Sequence, residues 1–227
     1  MARLIHGAIL NGLHFSKRDL FLGLASAMLH DSGYILARDE AGPGGRYTLV
    51  HIDRSIDFLK RYFFLNGYSS NDVDACEAIL KCTGLNVKIP QIEFLSRENE
   101  IMGKMLGTAD LLGQMADRTY LEKLPFLYRE FKQAGMEGIG TELDFLDSTS
   151  GFHKVVMERL AHDLGGVDGY MRHHFHARWD IDENLYIAAI ESSMRFLKTI
   201  LKNHRDDLHD YLKRGNLMAK LRKRYPE

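Results

Sequence analysis

The chain has 227 residues, 45% of them hydrophobic and 27% charged, with a formal net charge of −1. That supports one sizeable core, and the balanced charge gives no overall pull toward nucleic acid or an anionic membrane. No apolar run approaches the roughly 18 residues of a membrane helix, and two cysteines, Cys76 and Cys82, make no disulfide framework and fit a reducing, cytoplasmic setting.

In chain order the pattern reads as helix nearly throughout. A short helix is expected over residues 2–11. Ser16 caps a second that runs to about His30, with Gly33 behind it as a stop. "ILARDEAGPGGRYTL" reads as a loop with a short extended piece, its glycines suited to a mobile flap. A third helix spans about 48–65, and Ser69 with Asp72 starts another that ends near Cys82. Ser96 caps a long helix over 97–117, with Glu98 and Glu100 favouring its positive end. "YLEKLPFLYREFKQAG" follows, with Pro125 as a kink or a first-turn residue. The remaining helices are expected over 142–148, 152–164, 167–176, 182–203 and 205–213, the longest starting at Asp180 and Glu183. Strand-like alternation is scarce, so the fold class is all-α. The break near 133–141 divides a helical domain, 1–132, from a C-terminal helical extension, 133–227, that either stands apart or packs into the same unit.

Two anomalies point to chemistry. "LASAMLHDSGY" is apolar almost all round, which predicts a buried helix, yet it ends in His30-Asp31. "MLGTADLLGQMADR" places Asp110 on an equally apolar helix, with Gln114 and Asp117 one and two turns on along the same face. A buried carboxylate is costly unless it is neutralised, paired or bound to a metal. His51 opens the third helix. Each residue alone has an ordinary structural reading: a helix C-terminus, a salt-bridged face, a surface histidine. As a set, His30, Asp31, His51 and Asp110 supply the mixed nitrogen and oxygen ligands that suit Mn, Fe, Co, Ni or Zn.

The His-Asp-x-Gly-Tyr segment, followed by His51 and then "GTADLLGQMAD", resembles the HD superfamily of metal-dependent phosphohydrolases over roughly residues 15–118. The resemblance implies an HD-like helical bundle with a C-terminal helical extension and one or two divalent ions (Mn, Fe, Mg, Co, Ni or Zn). In that pattern His30 and Asp31 are ligands, Asp31 bridges, Asp110 is the distal ligand and His51 an intervening one. Asp31 and His51 would carry the catalysis. The family's first histidine lies well upstream of the pair; here only His6 and His14 precede it, and His6 is the candidate. Cys82 stands where some members carry another histidine, and reads either as a soft ligand or as a small buried residue. Gln114 and Asp117 would orient ligands or water. Arg46, Arg54, Lys81 and Arg118 would meet the substrate phosphate.

The implied activity is hydrolysis of a phosphodiester or phosphomonoester of a nucleotide-type small molecule by a metal-activated water. The alternatives are an inactive metal- or ligand-binding helical sensor and a purely structural helical protein. Oligomeric state stays open, a homo-oligomer included. His173, His174 and His176 invite a zinc site, but no second His or Cys pair stands at zinc-finger spacing, so partly exposed histidines at a helix end are expected. Trp179, Tyr186, Phe196 and Leu197 look like packing anchors. The basic tail 213–227 reads as a solvated charge run.

Overall fold

The computed structural model describes residues 1–42, 44–205 and 208–212. The basic tail, Pro43 of the glycine-rich loop and parts of the helix expected over 205–213 lie outside these residues. Among the described residues the regular structure is entirely helical: α1 (Ala2–Leu10), α2 (Lys17–Leu29), α3 (His51–Leu65), α4 (Ser70–Lys81), α5 (Arg97–Met115), α6 (Tyr120–Gln133), α7 (Glu142–Ala161), α8 (Tyr170–Trp179), α9 (Leu185–Asn203) and α10 (Leu208–Tyr211). Short 3₁₀ turns at Ser32–Tyr34, Gly44–Tyr47, Ile89–Gln91 and Val167–Gly169 link them. No helix among the described residues is long and apolar enough to cross a membrane.

Local chemistry sets the boundaries. Ser16, Ser69 and Thr141 each accept from the backbone N–H three residues on, while Asp19, Asp72 and Asp144 reach back to the cap. These reciprocal boxes satisfy two otherwise orphaned donors per helix. Ser96 caps α5 through Asn99 N–H. The two helices expected over 142–148 and 152–164 form the single helix α7. Ser148 and Thr149, residues that can break a helix, instead turn their hydroxyls back onto the Phe145 carbonyl and let it continue. The start of α9 also differs from expectation. Asp180 adopts φ 55° and closes α8, and Asn184 caps α9 by accepting from Tyr186 and Ile187 N–H. Pro125 lies inside α6, which runs through it.

Helix α5 is the axis of the core. Met102, Met105, Leu106, Leu112 and Met115 are all at most 2% exposed, with α2 and α4 packed on it together with α9 and the Val167–Gly169 turn. α2 departs from its reading: only Leu22, Gly23 and Ser26 are buried, while Met28 is 86% exposed. One face of α2 rests on α4 and α5, with Leu20, Ala25, Ala27 and Leu29 half-buried against the core; Phe21, Leu24 and Met28 are exposed. Trp179, expected as an anchor, is 54% exposed.

The C-terminal helices share the same hydrophobic cluster as α1–α6, which extends from Leu4 to Leu212. α1 lies along α8, so closely that a Cβ on Gly7 would fall 1.8 Å from the Tyr170 carbonyl oxygen. Arg159 of α7, 5% exposed, donates to the Cys82, Gly84, Leu85 and Val87 carbonyls at 2.7–3.3 Å. It thereby satisfies the Cys82, Leu85 and Val87 acceptors beyond the end of α4 and adds to the Gly84 carbonyl, which already accepts from Val87 N–H.

Candidate functional site

The end of α2, the start of α3 and the middle of α5 converge. His30 is the C-cap of α2. Its Nδ1 lies 2.8 Å from the Ala27 carbonyl, to which it donates. That bond leaves Nε2 facing outward, 3.3 Å from Asp31 Oδ2 and 3.6 Å from Asp110 Oδ1. Gln114 Nε2 donates to the same Asp110 oxygen at 2.7 Å, as the one-turn spacing predicts. The Asp110 side chain is 16% exposed and that of Asp31 57%, so one carboxylate lines the wall and the other meets solvent. The Asp110 carboxylate beside Nε2 is the main reason the His30 imidazole is raised to about 9. Burial opposes the rise and Asp31 adds to it.

The turn after His30 places the second imidazole. Gly33 N–H donates to Ser55 Oγ at 2.9 Å, and Ser55 donates to the His30 carbonyl at 2.6 Å. A Cβ on Gly33 would lie 1.9 Å from the His51 carbonyl oxygen, so only glycine lets the turn close on α3. Tyr34 then stacks on His51, with ring centroids 4.6 Å apart. His51 Nδ1 donates to the Thr48 carbonyl at 2.7 Å, which puts the lone pair of the neutral tautomer on Nε2. Both histidines are therefore held by Nδ1–H to a main-chain carbonyl, the arrangement that fixes the tautomer of a metal-binding imidazole.

A residue the sequence reading did not single out joins the site from α6. Thr48 donates to Glu130 Oε1 at 2.7 Å. The Tyr34 hydroxyl faces Thr48 and Glu130 and is pushed up to about 12, chiefly by burial. Glu130 lies far along an amphipathic helix whose sequence has no local oddity; only the fold brings it to Thr48, 82 residues away.

The other candidates have different partners. His6 lies on α1 with its Nδ1 3.1 Å from His174 Nδ1 on α8, an α1–α8 contact in place of the ligand role the resemblance implies. Arg54 is committed to structure: it forms a two-point pair with Glu40 at 2.9 Å, donates to the Gly33 and Ile35 carbonyls and lies 3.8 Å from the Tyr47 ring centroid. Four of its five N–H donors are thereby engaged. Lys81 pairs with Glu77 at 2.7 Å. Asp117 turns away from the Gln114 face to accept from Thr119 N–H and Oγ–H and from Lys123, which holds its carboxyl near about 2. Arg46 rests on the Tyr47 ring and bonds its hydroxyl. Arg46 and Arg118 are exposed and have no carboxylate partner among the described residues. Cys82 is fully buried, its thiol pushed up to about 12 by burial. Of the C-terminal histidines, His174 is buried, and His173 and His176 are exposed.

A family model described as Npun_R2479-like matches residues 36–161, more than half of the chain. The chain belongs to the Npun_R2479-like family. The stretch shared with the Npun_R2479-like model includes Thr48, His51, Asp110 and Glu130, and begins just after His30, Asp31 and Tyr34. Comparison with curated proteins and with solved structures gives no match.

Among the described residues, no three or more His, Cys, Asp or Glu side chains are grouped so as to hold a metal ion as they stand. The donor chemistry nevertheless fits one. Two ligands about 2.1 Å from a common ion, at tetrahedral or right angles, stand about 3.0–3.4 Å apart. His30 and Asp31 already lie within that range, and Asp110 is a few tenths of an ångström outside it.

Proposed function

We propose that the chain is a metal-dependent phosphohydrolase of the HD type, acting on a phosphate ester of nucleotide type. The observation that carries this reading is the meeting of His30 Nε2 with Asp31 and Asp110, 80 residues apart in sequence, while its Nδ1 is tied to a carbonyl. His30, Asp31 and Asp110 would hold a divalent cation, with His51 the fourth candidate. Such an ion supplies Lewis acidity and lowers the pKa of a water from about 15.7 toward about 7.

The chain's own residues do the rest. Asp31, on the solvent side, would supply a negative charge that balances the ion's. Asp110 and Gln114 fix the inner edge, and their hydrogen bond keeps the carboxylate from rotating. His51, with its Nδ1 occupied, offers Nε2 to accept a proton or a ligand bond. Arg46 and Arg118 are the cations left to meet phosphate oxygens.

Elemental analysis of the purified protein, followed by phosphatase and phosphodiesterase panels with added Mn²⁺, tests the proposal. Phosphate or nucleoside monophosphate release that disappears in Asp31→Asn supports it. A protein that retains no divalent cation overturns it.

A second reading is a helical module that senses a ligand without turnover. What favours it is that His30, when protonated, offsets one of the two negative charges of Asp31 and Asp110 in the metal-free protein. Tight cation or nucleotide binding with no product would select it.

A further inference from the structure

We propose that Glu130 of α6, outside the His-Asp motif, is the positioning residue that holds His51 in its ligand-ready orientation. The inference builds on the function proposed above for its metal readout, and is independent of it for its imidazole readout.

One carboxylate contacts both supports of the imidazole. The first support is the Thr48 carbonyl, which accepts from His51 Nδ1 at 2.7 Å. Thr48 sits in a tight turn, with its N–H on the Gly45 carbonyl at 3.1 Å and Val50 N–H on the Tyr47 carbonyl at 2.9 Å. Its hydroxyl donates to Glu130 Oε1 at 2.7 Å, with the Gly45 carbonyl 2.8 Å away. The turn is seated on α6: a Cβ on Gly45 would meet Glu130 Cγ and Gln133 Oε1 at 2.9 Å. The second support is the Tyr34 ring, stacked on the imidazole at 21° between planes. The Tyr34 hydroxyl faces Thr48 and the same Glu130. Glu130 thus anchors the edge-on partner and the face-on partner of one histidine. Without it, the 44–50 turn loses its tether to α6, and the acceptor that selects the Nδ1–H tautomer is free to move. Partners of this kind, one bond behind a ligand, change metal affinity by about 10- to 100-fold when removed.

The acceptor, more than the charge, is what this role needs, and that separates it from direct ligation. Glu130→Gln keeps a carbonyl oxygen for Thr48; Glu130→Leu does not. ¹⁵N-detected imidazole spectra of the metal-free protein report the tautomer of His51, and equilibrium dialysis reports Mn²⁺ affinity. Wild type and Glu130→Gln should both show His51 protonated at Nδ1 and bind Mn²⁺ within about 2-fold of each other. Glu130→Leu should show a tautomer mixture and bind about 10-fold more weakly. Helical circular dichroism and melting of each variant separate local loosening from unfolding. The inference is overturned if Gln loses as much as Leu, which would make Glu130 a ligand or a charge. It is equally overturned if a folded Leu variant leaves tautomer and affinity unchanged. If wild-type protein binds no cation while the tautomer still follows Glu130, the positioning role stands and the hydrolase proposal fails.

Discussion

Two regions of the fold each hold two histidines, and they do so in opposite ways. At the α2–α3–α5 end, His30 and His51 each give Nδ1–H to a main-chain carbonyl, and the Nε2 of His30 faces carboxylates. At the α1–α8 contact, His6 and His174 turn Nδ1 toward each other at 3.1 Å, so one must be an unprotonated acceptor. Arg3 and Arg178 are charges nearby, the Arg3 partner Tyr186 comes from α9, and the buried His174 Nε2 has no hydrogen-bond partner among the described residues. The first surroundings favour a cation or a proton, and the second disfavour both. Residue type alone would rank the four histidines equally; their neighbours decide what each can do.

The sharpest way to break the contrast is to remove a ligand from each side. His30→Ala or Asp31→Asn should lower Mn²⁺ retention by more than about 100-fold, as loss of an inner ligand exceeds the 10- to 100-fold cost of losing a supporting one. His6→Ala should leave retention within about 3-fold, well inside that supporting range. Equal losses from His6→Ala and His30→Ala would erase the distinction.

Next come the two glycines at the close approaches. Gly7→Ala and Gly33→Ala each force a methyl into a backbone oxygen, at a cost of about 1–3 kcal/mol of overpacking. Both should melt earlier, but only Gly33→Ala should also weaken Mn²⁺ binding in protein that remains folded.

The pH dependence of the metal-free protein should split by region. His30, raised from 6.5 to about 9, contributes stability that is fully present below pH 6.5 and lost as pH rises through 9. His174 is lowered by burial, with His6 and Arg3 adding to it, so its contribution is present above pH 6.5 and lost as pH falls. Melting curves across pH should lose their alkaline limb in His30→Gln and their acid limb in His174→Gln. The smallest effect belongs to Lys81→Ala. Its half-exposed pair with Glu77 is worth about 0.5 kcal/mol or less, and no change in phosphate-ester turnover should follow.

How much of this was legible beforehand depends on how local each signal is. The helical class and the caps at Ser16, Ser69 and Ser96 were readable because capping involves residues three apart. The meeting of His30, Asp31 and Asp110 could be anticipated because an acid on an apolar helix has to find a partner. Glu130 could not, since it occupies an ordinary position on an amphipathic helix. The pairing of Arg54 with Glu40 was hidden for a related reason, since a cation in a sequence does not announce a carboxylate across a loop, whereas Lys81 and Glu77 stand at the readable i,i+4 spacing. The expected start at Asp180 differs because Asp180 takes φ 55° as the C-cap of α8, and Asn184 caps α9 in its place.

The plug that Arg159 makes has a consequence for assembly of the fold. The carbonyls of Cys82, Leu85 and Val87 meet the Arg159 guanidinium only when α7 arrives, more than 70 residues later, and α1 packs along α8. A fragment cut at 132 would leave the stretch after α4 without its closure and α1 without a lid. Folding must therefore pass through long-range closures, which slow the search, and the two halves of the chain mature together.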